Sequence, residues 1–272
     1  MQNSVYDEEI NSLYHYLNSF NMRRYEETLK SLKQKWNFKC PNDKMTSKSL
    51  FLRHDVDYSL DNSLVMARIE DSLGIHSHYY FLTESTSYNI NSKKFRDSIE
   101  ELLAYNVCVG LHFDWVNRNL PPIQDFETQI KALQLKTKSE VTHFSPHNPG
   151  SLDVADSYDF PKKYFNAYSF LKKHKMGYLS DSNGSWNKQF LDEFIQDINL
   201  KPYQILIHPE WWSYNPTDPI TRIVQSYTNE YLENLKTYYK LHEKSEKFEV
   251  SKLEKLTEQI SAIDKAIMKI IG

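Results

Sequence analysis

Cysteine is nearly absent from this 272-residue chain: Cys40 and Cys108 are the only two, without C-x-x-C spacing, and Cys108 sits inside an apolar run. A disulfide framework is excluded, and both read as ordinary thiols of a reducing compartment. Long apolar runs are missing too, since no stretch approaches the roughly 18 consecutive apolar residues of a membrane span. Nor is there an excess of one charge. The 33 Lys and Arg stand against 36 Asp and Glu, a net −3, which supplies no electrostatic footprint for a nucleic-acid partner. The stretch Met1 to Glu9 carries neither a basic leader nor the apolar core of an export signal, so a cytoplasmic location is expected. Glycine is also scarce, at 6 residues, whereas aromatics are abundant: 19 Tyr, 14 Phe and 5 Trp. Such rings suit stacking on sugars and equally the filling of a large core.

The strongest local feature is Leu50 to Asp57, an apolar run that breaks into Arg53-His54-Asp55-Val56-Asp57. Three further apolar stretches end the same way: Val107 to His112-Phe113-Asp114, Val141 to His143 with His147 beyond, and Ile205-Leu206-Ile207-His208. From Leu50 onward short β-rich runs alternate with helical patterns, as successive βα units around a parallel sheet require. Strands are expected near 50–54, 78–83, 106–111, 141–145, 177–180 and 203–208, and helices near 60–73, 92–105, 123–135, 161–174 and 188–197. The expected fold class is α/β, a parallel sheet or barrel over 46–219 preceded by an N-terminal helical cover over 1–45. In such barrels reactive groups lie where strands end, so four strand ends would converge on one mouth. Residues 220–272 differ, with Leu253, Leu256, Ile260, Ile263, Ile267 and Ile270 in a heptad seam. Leu232, Leu235, Tyr239 and His242 continue the spacing on a preceding helix, so a helical hairpin is expected, either packed on its own barrel or serving a homo-oligomer through 230–271.

A borderline divalent cation needs a few carboxylate and imidazole ligands and one open position. Asp57, His112 and one further group meet that need, and Asp55 shares a strand face with Asp57 by the period of two. Taken in order, these residues resemble the NodB-like polysaccharide deacetylases of carbohydrate esterase family 4, in a divergent branch whose first motif reads His-Asp-Val-Asp. The resemblance runs from about Leu50 to Trp212.

It implies a distorted (β/α) barrel of the deacetylase type, with Asp55 as general base and Asp57 as metal ligand. The family's second motif carries two histidines four residues apart; His112 supplies the first, but Val116 stands in place of the second. His147, held between Pro146 and Pro149, is the preferred third ligand, with His78, His143 and Asp114 as alternatives. Ser145 occupies the place of the arginine that normally orients the base, so the positive charge beside Asp55 falls to Arg53 or His54. Asp181 and Trp186 resemble the fourth motif, with Asp181 placed to orient His208. Ile205-Leu206-Ile207-His208 resembles the fifth, in which the histidine is the general acid. Trp186, Trp211, Trp212, His54 and Asn148 are candidates for contacting substrate, although Trp211 and Trp212 would equally plug the barrel mouth. His76 and His78 fall on one face of the second strand, where two imidazoles at i and i+2 can share a metal; a core histidine is the competing reading of His76.

The expectation is a metal-dependent amidohydrolase, with zinc the default and Mn2+, Co2+ or Ni2+ able to replace it. It would remove an N-acyl group, most simply acetyl, from an amino sugar on a nucleotide-sugar or glycan precursor of bacterial surface polysaccharide. Two competing classes stay open: a catalytically inactive carbohydrate-binding protein, suggested by the absent second histidine and arginine, and an assembly protein, suggested by the heptad seam; among enzymes, an O-deacetylase or deformylase would use the same site.

Overall fold

The computed structural model describes residues 19–115, 119, 121–150, 160–185, 201–242, 255 and 262. The chain separates into two compact units, Met1–Thr217 and Asp218–Gly272.

The first unit opens with helix α1 (Met22–Lys35), whose free N-terminal amides are met by Asn21, its side chain accepting from the Arg23 amide. Tyr25, Leu29 and Leu32 recur at helical spacing and are buried. A two-residue strand β1 (Asn37–Phe38) pairs with the start of β2 (Ser49–Val56). Every residue of β2 is buried, as a central parallel strand covered on both faces must be. The chain then alternates α2 (Leu60–Ser72), β3 (Ser77–Phe81), α3 (Lys93–Leu103), β4 (Val107–Phe113), α4 (Pro122–Thr137), β5 (His143–Pro146), β6 (Phe165–Asn166), α5 (Ala167–Lys173), β7 (Gly177–Ser180) and β8 (Tyr203–Ile207). Serine side chains cap α2 and α3 through Ser59 and Ser92.

All pairings are parallel and the sheet runs β6-β5-β4-β3-β2-β8-β7. The sheet curls as a half-barrel with helices around it, in agreement with the distorted (β/α) barrel expected from the sequence. Because the strands are parallel, all their C-terminal ends face one way, and β2, β4, β5 and β8 all deliver ionisable residues there. Inside the curl, side chains alternate by twos. On β2, Arg53 and Asp55 ion-pair with each other, and Arg53 lies over the Tyr80 ring. His54, between them, points outward and stacks on Tyr79 at 4.2 Å.

The six strands expected from periodicity are present within a few residues. Two short ones, β1 and β6, are additional; a two-residue strand carries no readable alternation, and β6 occupies the start of the helical pattern expected at 161–174. There Asn166 ends the strand and caps α5, accepting from the amides of Tyr168 and Ser169. The expected helix at 188–197 lies outside the described residues. In the second unit, α6 (Pro219–His242) covers the helix expected to carry Leu232 to His242. Leu253 to Ile270, the second arm and its seam, lie outside the described residues but for 255 and 262, both helical.

Candidate metal centre

β2 ends at Val56 and Asp57 follows in the bend, so Asp55 and Asp57 enter the barrel mouth from one strand end. Four residues along β4 from Cys108, His112 rises beside them, and the loop after β5 adds His147, whose amide donates to the Phe113 carbonyl at 2.7 Å. One ligand atom each of Asp57, His112 and His147 lies within 4.8 Å of the others.

The tautomers follow from the partners. His112 Nδ1 faces the Ser145 carbonyl at 2.9 Å, and a carbonyl only accepts, so Nδ1 carries the proton. Nε2 faces Asp57 Oδ1 at 3.3 Å and Asp55 Oδ2 at 3.5 Å. Lone pairs facing each other this closely need positive charge between them, either a proton or a cation. Asp57 Oδ1 is buried with no hydrogen-bond partner among the described residues, although such atoms are nearly always satisfied. Burial opposes ionisation of Asp57, yet the hydrogen-bonding and charge of His112 outweigh it and hold the carboxyl below its ordinary range. An Asp-His-His set with an orphaned oxygen fits a borderline divalent cation, and the Ser145 carbonyl supplies the outer contact that aims His112. His147 Nε2 lies 3.8 Å from Asp57 Oδ2 and accepts from the Asn148 side chain at 3.0 Å, while Nδ1 faces Asp114 Oδ2 at 3.4 Å.

Asp55 is held differently. Arg53, from the same face of β2, donates to it through Nε at 2.8 Å and through Nη2, and the same Nη2 reaches Ser145 Oγ. Ser145 Oγ in turn donates to Asp55 Oδ2 at 3.2 Å. Gln204, with its amide turned to satisfy both neighbours, accepts from Arg53 Nη1 at 3.1 Å and donates to the Ala167 carbonyl. Burial would raise the Asp55 carboxyl, but the Arg53 guanidinium and His112 hold it well below the usual carboxylate range. The cation beside Asp55 is thus Arg53, and Ser145 serves as its second anchor. His54 lies elsewhere: it faces Glu70 Oε1 at 2.8 Å behind the sheet and is not among the residues lining the cleft.

Opposite stands His208, the residue after β8. Asp181 Oδ1 accepts from the His208 amide at 2.9 Å and from its Nδ1 at 2.7 Å, while Asp181 Oδ2 accepts from Trp212 Nε1 at 2.9 Å. Burial pulls the imidazole down, but Asp181, with Glu210 and Asp57 behind it, outweighs burial and pushes His208 up to about 10. Glu210 is itself fully buried with both oxygens unpartnered among the described residues, and burial plus the Asp57 charge push it well above the ordinary glutamate range.

Asp55, Asp57, His112, His147 and His208 line one cleft of about 260 Å³. Asn148 borders it too, whereas Trp211 and Trp212 do not. Trp212 is 1% exposed and packs on Phe20 and Tyr25, so it plugs the molecule and braces Asp181 instead of walling a sugar. Trp186 lies outside the described residues. The aromatic walls are Tyr168 and Tyr178, which sequence reasoning missed. Tyr178 sits in the segment that resembles the fourth motif, two residues from its neighbour Ser180, but nothing in the spacing of Tyr168 marks it. Of the other candidate ligands, Asp114 faces His147 Nδ1 and not the Asp57–His112 pair in the ligand group, and His78 and His143 lie at the opposite ends of their strands.

No family model matches the chain, and no curated protein matches it. Among solved structures the chain is similar to a CE4 family pseudoenzyme from Bacillus anthracis, with TM-score 0.38 and 14% identity over 71% of this chain and 63% of that one. It therefore spans less than two thirds of that protein's length. It is also similar to the Streptococcus pyogenes deacetylase PplD in complex with acetate, with TM-score 0.38 and 13% identity over 74% of this chain and 84% of that one. A chitin deacetylase from the fungal pathogen Colletotrichum lindemuthianum gives TM-score 0.37 and 14% identity over 66% of this chain and 81% of that one.

Proposed function

We propose that the chain is a metal-dependent hydrolase that removes an N-acyl group, acetyl in the first instance, from an amino sugar, and that it acts on a nucleotide-sugar or glycan precursor of bacterial surface polysaccharide. One observation carries the reading: a carboxylate anchored by a guanidinium and an imidazole anchored by a carboxylate flank a three-ligand cation pocket within a single cleft. Hydrolysis of an amide needs a group to take a proton from water and another to give one to the departing amine.

When bound by Asp57, His112 and His147, a divalent cation, zinc by default, supplies Lewis acidity to water and carbonyl. Asp55 receives the proton. Its depressed pKa makes it a weak base, one that receives a proton without holding it at neutral pH. Arg53 and Ser145 fix the direction of its oxygens, so no side-chain freedom is lost on reaction. His208, protonated at neutral pH by its pairing with Asp181, gives its proton to the leaving nitrogen. Tyr168 and Tyr178 offer rings to the face of a sugar.

The inactive alternative draws on a missing ligand and a missing arginine; the nearness of His147 to Asp57 and of Arg53 to Asp55 supports the active reading. O-deacetylation and deformylation use the same groups. The test is acyl release from N-acetylated and O-acetylated sugar donors and short glycans, with and without chelator. Acetate released from the N-acetyl compounds, lost on chelation and restored by Zn2+, is the expected result. Sugar binding without turnover at any metal would overturn the proposal.

A further inference from the structure

The interior of the half-barrel holds a second group of metal-ligand side chains at the ends of the strands remote from the cleft. His76 precedes β3, His78 is its second residue, and Cys108 lies opposite His78 on β4. One ligand atom from each of the three lies within 4.8 Å of the others. His112 follows Cys108 by four residues on the same strand, about 13 Å along at the strand rise of ~3.3 Å per residue, so the two groups are distinct.

Three features make this more than a coincidence of residue types. First, His78 is 1% exposed, and neither ring nitrogen has a hydrogen-bond partner among the described residues. A buried imidazole with both nitrogens idle costs the full desolvation of two polar atoms, unless something absent from the protein meets them. Second, His76 is oriented as metal-binding histidines are. Its Nδ1 faces Asn106 Oδ1 at 2.9 Å, which accepts, so Nδ1 holds the proton and Nε2 turns its lone pair to Cys108 Sγ at 3.4 Å. Asn106 is itself fixed, its amide donating to Asp71 Oδ1. Third, the surroundings are apolar, and a further imidazole stands close: the His143 ring lies 5.8 Å from that of His78. Phe51, at 4.3 Å from the His78 ring, and Phe165, at 5.2 Å from the His143 ring, wall the group with hydrocarbon.

We infer that His76, His78 and Cys108 form a second metal site of imidazole–thiolate type, taking zinc or a similar borderline ion, with His143 beside it as the fourth side chain. Thiolate and imidazole select such ions over Mg2+ or Ca2+. Binding replaces the thiol S–H bond by a metal–sulfur bond, and the proton passes to buffer. The ion clips the entry of β3 to β4, a structural role separate from the cleft.

The experiment titrates the metal-free full chain with Co2+ as the zinc stand-in. A thiolate-to-cobalt charge-transfer band in the near ultraviolet is expected, saturating within two equivalents in the natural chain, where the cleft takes the other ion, and at one equivalent in His112→Ala. It persists in His112→Ala, which removes a cleft ligand, and in Cys40→Ser, and it vanishes in Cys108→Ser. Asn106→Ala, which leaves every ligand in place, weakens Co2+ binding about 10-fold through the loss of the outer contact. In the His112→Ala background, Zn2+ raises the melting temperature, and adding Cys108→Ser removes that rise. No band in the natural chain, or a band that survives Cys108→Ser, would overturn the site.

Discussion

Arg53 does most to set the chemistry at the mouth, because it reaches Asp55 from two positions back on its own strand and needs no third motif to deliver it. Its methionine variant leaves Asp55 buried without its cation, which costs about 3–5 kcal/mol in urea unfolding and raises the Asp55 carboxyl, so the acid limb of kcat/KM moves to higher pH. Asp57→Ala or His112→Ala abolishes both cleft metal, read by metal analysis, and acyl release; the second site keeps its own equivalent. Asp55→Asn lowers kcat by about 10²–10⁴, the usual worth of a positioned base. Asp181→Asn leaves an amide where His208 needs an anion. Because His208 works in its protonated form and stands at about 10 in the natural chain, its pKa then falls and the alkaline limb of activity moves down in pH. An unmoved limb would show that another group is the acid.

The strands were legible because burial on both faces demands continuous apolar runs, and β2, β4 and β8 have them. What the runs do not show is the third dimension of the curl. Gly110 on β4 illustrates it: a Cβ there would lie 2.6 Å from the Tyr80 ring and 2.8 Å from the His143 carbonyl, so the strand can carry only hydrogen where β3 and β5 crowd it. Gly110→Ala is expected to cost about 1–3 kcal/mol by overpacking, read by chemical denaturation, and to disturb His112 two residues on. Helix α5 shows the opposite failure. Its pattern was visible, but the helix begins at Ala167 and not at 161: Phe165 and Asn166 were taken by β6, since pairing with β5 satisfied their backbone and Asn166 could cap only what followed.

For the folded chain without metal, the two anchored pairs set opposite slopes on stability. Asp55 is depressed on folding, so its contribution is present above the unfolded value of about 3.9 and is lost as pH falls through the folded one. His208 is raised, so its contribution is full below about 6.5 and is lost as pH rises through about 10. A plateau between roughly pH 4 and 6.5 is expected in denaturant midpoints; Asp181→Asn lowers it and flattens the fall on its alkaline side. The seam of the second unit predicts an assembly state of its own: sedimentation of the full chain against one ending at Thr217 is expected to show a larger species only for the former.

From the residues alone came the α/β class, the six principal strands, and the convergence of Asp55, Asp57, His112 and His208 on one mouth, because parallel strands point their ends the same way and alternation fixes which face each side chain takes. Only the folded chain decided what each group meets there. It set Arg53 and not His54 beside Asp55, sent Trp212 inward to brace Asp181, put Tyr168 and Tyr178 on the cleft, and brought Cys108 to His76 and His78. Those outcomes depend on distances between strands and helices far apart in sequence, which hydropathy along a single strand does not encode.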